Sequence, residues 1–120
     1  MAVRAVRGAV QLDRDDAAHM DERVGELLRA VLERNGLTAD DLISIWFTAT
    51  PDLHSAFPAA AARGIGLSDV PLICARELDV EGAMPRVVRL LAHIETDTPR
   101  AAVTHVYLGA AAALRKDIAQ

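Results

Sequence analysis

"MPRVVRLLAHIETD", residues Met84–Asp97, decides how this chain folds. Val87, Leu90, Leu91 and Ile94 recur at helical spacing. The β-branched residues of the same segment fit a strand about as well. Pattern alone leans to a helix. The segments on either side read more plainly. Upstream, "VPLICAREL" (Val70–Leu78) reads as a strand with Pro71 at its start, where a proline is tolerated. Downstream, "THVYLG" (Thr104–Gly109) is a short strand, and an alanine run leads to Leu114, Arg115 and a short charged tail.

Further upstream, "VRAVRGAVQL" (Val3–Leu12) alternates and is rich in β-branched residues, as a strand requires. The "DRDD" that follows offers several N-caps. Met20, Val24, Leu27, Leu28 and Val31 then keep helical spacing, so a helix is expected from about Asp16 to Glu33, stopped by Asn35–Gly36. "LISIWFT" (Leu42–Thr48) is a second strand, with Ile43, Ile45 and Phe47 expected on one face. In "TATPDLHSAFPAAAAR" (Thr48–Arg63), Pro51 and Asp52 make a turn. Pro58 suits the first position of a short helix that Gly64 and Gly66 end.

These elements imply one α+β domain over residues 1–120: two layers, with a mixed β-sheet packed on one long helix. One helix leaves the second sheet face either wet or covered by another subunit. The apolar strands favour a subunit.

Composition narrows the function. Net charge is −4, which argues against a general nucleic-acid partner. No apolar run approaches the ~20 residues of a membrane span, and the N-terminus lacks a signal pattern. Cys74 is the only cysteine, so no internal disulfide can form and a cytoplasmic location is expected. There is no phosphate-cradling glycine loop and no metal-ligand spacing among His19, His54, His93 and His105. No cofactor or metal is expected. Cys74, in an apolar strand with no evident base nearby, reads as a small filler and not as a nucleophile.

What remains is a dispersed set: Arg7, Arg63, Arg89 and Arg115, with Glu77, Cys74 and Tyr107. An arginine inside an apolar stretch, such as Arg7 or Arg89, needs a partner. An anionic ligand on one side, and an edge position or an intersubunit salt bridge on the other, account for it equally well. Phe57 is one of only four aromatic residues, and it sits in a loop.

Four blocks in order, "RGAV", "TATPDLHSAFPAAAAR", "VPLICARELDV" and "HVYLGAAAALR", closely resemble the monofunctional chorismate mutases of the Bacillus type. The resemblance runs over nearly the whole chain. It implies a homotrimer with a pseudo α/β-barrel core and active sites between subunits, converting chorismate to prephenate in phenylalanine and tyrosine biosynthesis without a cofactor. It also implies that Met84–Asp97 is largely strand. Carried over by motif, Arg89 contacts the ether oxygen of the breaking bond. Glu77 and Cys74, in "CARE", sit near the ring hydroxyl. Arg7 binds a carboxylate, Tyr107 binds substrate, and Arg115 helps close the site. Phe57 and Arg63 stand at the cleft mouth, from the neighbouring subunit.

Three features depart from the family pattern. Ala60 stands where a lysine is common, Ile73 replaces a threonine whose backbone is mostly what is used, and the stretch between Gly64 and Val70 is one residue short. Two other readings share this outline: a same-fold trimeric enamine or imine hydrolase, and a non-catalytic trimer that binds a small carboxylate.

Overall fold

The computed structural model describes residues 1–115. Its strands are β1 (Ala2–Gln11), β2 (Leu42–Ala49), β3 (Leu72–Arg76), β4 (Val87–Thr96) and β5 (Val106–Leu108); its helices are α1 (Ala17–Arg34) and α2 (Pro58–Gly64). The five strands form one mixed sheet in the order β3-β2-β4-β1-β5. β4 is central and antiparallel to both neighbours, while β2/β3 and β1/β5 are parallel pairs.

The opening segment is therefore a strand, and the helical lean of its pattern is overturned. The reason lies in which side chains are buried. Val88, Leu90, Ala92 and Ile94 alternate into the main core, whereas Leu91 is exposed on the other face. A helix would have put Leu90 and Leu91 on one side. Instead the ladders to β1 and β2 satisfy the backbone on both edges of β4, and a helical pattern of similar quality gives way.

The "TPD" turn holds the start of this strand. Thr50 exchanges two hydrogen bonds with Val87: its N–H donates to the Val87 carbonyl, and its Oγ1 accepts the Val87 N–H, each at 3.0 Å. The Thr50 hydroxyl donates to Asp52, whose carboxylate also accepts the Arg86 N–H at 3.0 and 3.2 Å. Arg86 is the one non-glycine residue among those described with a left-handed backbone (φ 53°), and its Nε donates to the Leu12 carbonyl at 2.9 Å. Together these bonds pin the register of β2, β4 and β1, which places Arg89 between Thr48 and Ala9.

Helix α1 begins as expected. The Asp16 carboxylate accepts the His19 N–H at 2.9 Å, and Met20, Val24, Leu27, Leu28 and Val31 are buried. Asn35 at its C-terminus bonds to both the N–H and the carbonyl of Thr104, tying the helix to the segment before β5. Gly8 lets the helix approach closely, since a Cβ there would meet Leu27, Leu90 and the Val106 carbonyl at 3.2 Å each.

Three expectations change. Two helices cover the sheet, α1 over β1 and β5 and the short α2 over β2 and β3, so the layer is not one long helix alone. Ile43 does not join Ile45 and Phe47 in the core, because a bulge between Leu42 and Ser44 turns it to solvent. The third strand is shorter than Val70–Leu78 and ends at Arg76. No helix among the described residues is long and apolar enough to cross a membrane.

Candidate active site

Strand alternation delivers the arginines to the face that the helices leave open. Directly opposed residues share a face. Arg89 lies opposite Thr48 on β2 and Ala9 on β1; Ala9 lies opposite Tyr107 on β5; Arg7 and Trp46 both lie opposite Leu91. Arg7, Arg89, Trp46, Thr48, Leu91 and Tyr107 accordingly line one open cleft of about 430 Å³. Val87, Ala9, Tyr107 and Ala111 form a small second core at its side, where the turn Gly109–Leu114 folds back over the open face.

Glu77 reaches this face by the same alternation, two residues beyond Ala75, which lies opposite Thr48. Its N–H still bonds to the Ala49 carbonyl at 3.0 Å, but the chain then leaves the sheet. The Glu77 Oε1 comes within 3.0 Å of Arg89 Nε; the Glu77 side chain is 16% exposed and that of Arg89 36%. The pair is close but poorly aligned: Arg89 Nε makes no hydrogen bond, and neither does Glu77 Oε2. A half-buried cation that lines the cleft with Arg7 thus sits beside an anion, both with unspent hydrogen-bonding capacity. Such a pair can meet a ligand that develops charge of both signs.

The remaining sequence candidates lie elsewhere on the chain. Cys74 is opposite Phe47 and packs towards the helix layer, so in one chain it does not share the cleft with Glu77. With Phe57 it lines a second cleft of about 380 Å³ beyond the ends of β2 and β3. Phe57 is 71% exposed, which rules it out as a plug for the core. Its loop is held by the Asp15 carboxylate, which accepts the N–H groups of His54 and Ser55 at 3.0–3.1 Å. Arg63, at the end of α2, and Ile73, opposite Trp46, are exposed and line neither cleft. Arg115 is near enough to His105 for its charge to act on that ring.

Two β2 residues of the cleft were not foreseen, Trp46 and Thr48. The signal was present: in "LISIWFT" they alternate away from Ile45 and Phe47, and Trp46 is the only tryptophan of the chain. His19 is buried and structural, its Nε2 accepting the Asp13 N–H at 2.9 Å. Among the described residues no cluster of three or more histidine, cysteine or carboxylate side chains is placed to hold a metal.

Fold and cleft define a small α+β domain with Arg7 and Arg89 at an open cleft and Glu77 beside Arg89. The chain belongs to the chorismate mutase type I family, whose model matches residues 3–118. It is 48% identical to the chorismate mutase AroH of Thermus thermophilus over 117 residues, covering 97% of this chain and 96% of that one. With the AroH chorismate mutase of Bacillus subtilis it shares 35% identity over 119 residues, covering 98% and 94%. A chorismate mutase structure from Clostridium thermocellum superposes with a TM-score of 0.89 at 40% identity, over 91% of this chain and 97% of that one. None of these relatives favours the hydrolase or the binding-module reading.

Proposed function

We propose that the chain is a chorismate mutase that rearranges chorismate to prephenate, with Arg89 and Glu77 as its catalytic pair. The reading rests on family membership together with one observation: the misaligned Arg89–Glu77 contact beside Arg7. In this Claisen rearrangement one C–O bond breaks as one C–C bond forms, with no proton transfer and no covalent intermediate. The protein must hold the dianion in its compact conformer. It must also meet the charge that develops as the C–O bond lengthens. Arg89 faces the ether oxygen, which gains negative charge. Glu77 accepts the ring hydroxyl and offsets positive charge on the ring fragment. Arg7 and Tyr107 hold the substrate. The test is direct: purified chain with chorismate should yield prephenate, read as phenylpyruvate after acid treatment. A folded chain that leaves chorismate unchanged refutes the assignment.

The assembly belongs to the same reading. The open sheet face carries Val3, Trp46, Ile73 and Leu91, all exposed in the single chain, Trp46 by 57%. Covering them with a second sheet is favourable at about 25 cal/mol per Å². In a homotrimer Phe57, Arg63, Cys74 and the Ile73 backbone of one subunit complete the mouth of the next subunit's cleft, and Arg115 closes it. We place the enzyme in the cytoplasm, where the single thiol stays reduced. The native mass is expected at three times the chain's 12.9 kDa, measured by light scattering. Full turnover by a monomer would sink the shared-site model. Cys74→Ala is expected to keep turnover within a few-fold, since nothing bonds covalently to the thiol. A substrate adduct on Cys74 detected by mass spectrometry would contradict this.

A further inference from the structure

One contact beside the cleft has no part in the chemistry described so far. The parallel pairing of β1 with β5 runs from Gly8 opposite Val106 to Val10 opposite Leu108. One residue earlier, where the ladder stops, the Arg7 N–H donates to Nδ1 of His105 at 3.0 Å. The imidazole thus takes the place of a strand carbonyl and extends the β1–β5 ladder by one bond. Arg7 is the residue whose side chain enters the cleft from this point of β1.

We propose that His105 is a positioning residue for Arg7, its neutral ring fixing the backbone from which the guanidinium reaches the substrate carboxylate. This rests on the reading of Arg7 as the carboxylate-binding arginine. The chemistry of the bond is specific. A histidine nitrogen accepts only when it carries no proton, so the Nδ1 contact requires the neutral ring protonated at Nε2. An imidazolium offers no acceptor, and its charge would stand beside two arginines.

The surroundings keep the ring neutral. His105 shares a groove with Arg4 and Arg7 of β1, His93 of β4 and Arg100 of the turn before β5, and among the described residues no carboxylate lines that groove. Burial first, then the charges of Arg7 and Arg115, holds the His105 imidazole below its ordinary value of about 6.5. The sign follows from that depression. An unfolded chain takes up the proton near pH ~6.5, and the folded chain does so only at lower pH. The bond and its contribution to stability are therefore intact above this range. They fade as pH falls through the folded-state value.

Three variants test the proposal, assayed for chorismate turnover between about pH 5 and pH 8. In the parent chain KM is expected to rise on the acid side while kcat changes less. His105→Asn keeps an acceptor oxygen and cannot titrate, so its KM should match the parent at neutral pH and lose the acid rise. His105→Leu leaves the Arg7 N–H without its acceptor, and KM should rise about tenfold at every pH, with kcat within a few-fold. His93→Gln controls for the other ring in the groove, which lies 3.3 Å from the Ser44 hydroxyl, and should keep the parent profile. Proton and nitrogen NMR gives a readout without turnover: the Arg7 amide should titrate with the His105 ring in the parent and not in His105→Asn. An acid rise that survives in His105→Asn, a parent-like KM in His105→Leu, or an Arg7 amide blind to the ring would each overturn the proposal. Arg7→Ala with unchanged KM would instead refute the role of Arg7. A chain inert to chorismate with the coupled titration intact would refute the assigned reaction.

Discussion

Arg89→Ala should lower kcat by at least about 10²–10³ while the fold survives. Arg89 stands in the central strand, but its side chain is more than a third exposed on the open face and takes no part in the core. Its removal leaves the β-ladder intact, since both neighbours pair with the backbone of β4. What goes is a cation in contact with Glu77, in the position assigned to the ether oxygen. That oxygen gains charge only as the bond opens, so the loss should fall on kcat more than on KM. Arg89→Lys keeps a charge without the planar fork of donors and should recover only part of the rate. Turnover at saturating chorismate, with circular dichroism as a check on folding, decides the matter. Activity within a few-fold of the parent would remove Arg89 from the mechanism.

Glu77→Gln is the sharper test, because it changes charge and little else. Glutamine has the same length and can still accept the ring hydroxyl and lie against Arg89. It cannot offset positive charge on the ring fragment, and kcat should fall roughly 10². The substrate is a dianion, and removing a carboxylate 3.0 Å from Arg89 frees that guanidinium for the ground state. KM should therefore stay level or fall as kcat drops. That opposite movement distinguishes a transition-state role from a disturbed cleft, which would raise KM. A large rise in KM with kcat preserved would recast Glu77 as a binding group only.

Much of this could be read before any coordinates. The Asp16 cap and the spacing of Met20, Val24, Leu27, Leu28 and Val31 defined α1 to within a residue at either end. Pro58 marked the first turn of α2. The site was less legible. Cys74 and Glu77, three apart, should point to opposite faces of a continuous strand, so reaching one ligand required the strand to end or bend near Ala75 or Arg76. β3 does end at Arg76, but the bond from the Glu77 N–H to the Ala49 carbonyl keeps the alternation, so Glu77 lies with Ala75 and Arg89 on the open face. Cys74 keeps the strand's alternation and faces the helices. Ile43 failed for a related reason, since one bulge shifts every side chain before it.

The amino-acid order determined by itself the elements whose signals are local: caps, prolines, glycines and the stripe of α1. It also supplied the arginines and the glutamate, in blocks specific enough to point to a family. Where residue pattern alone leaned to a helix, tertiary structure makes Val87–Thr96 a strand, because two periodicities fit it and the hydrogen bonds of β1 and β2 choose between them. It decided the cleft as well. Arg7, Glu77 and Arg89 come from three parts of the chain, and the register between strands, a non-local property, is what sets them side by side.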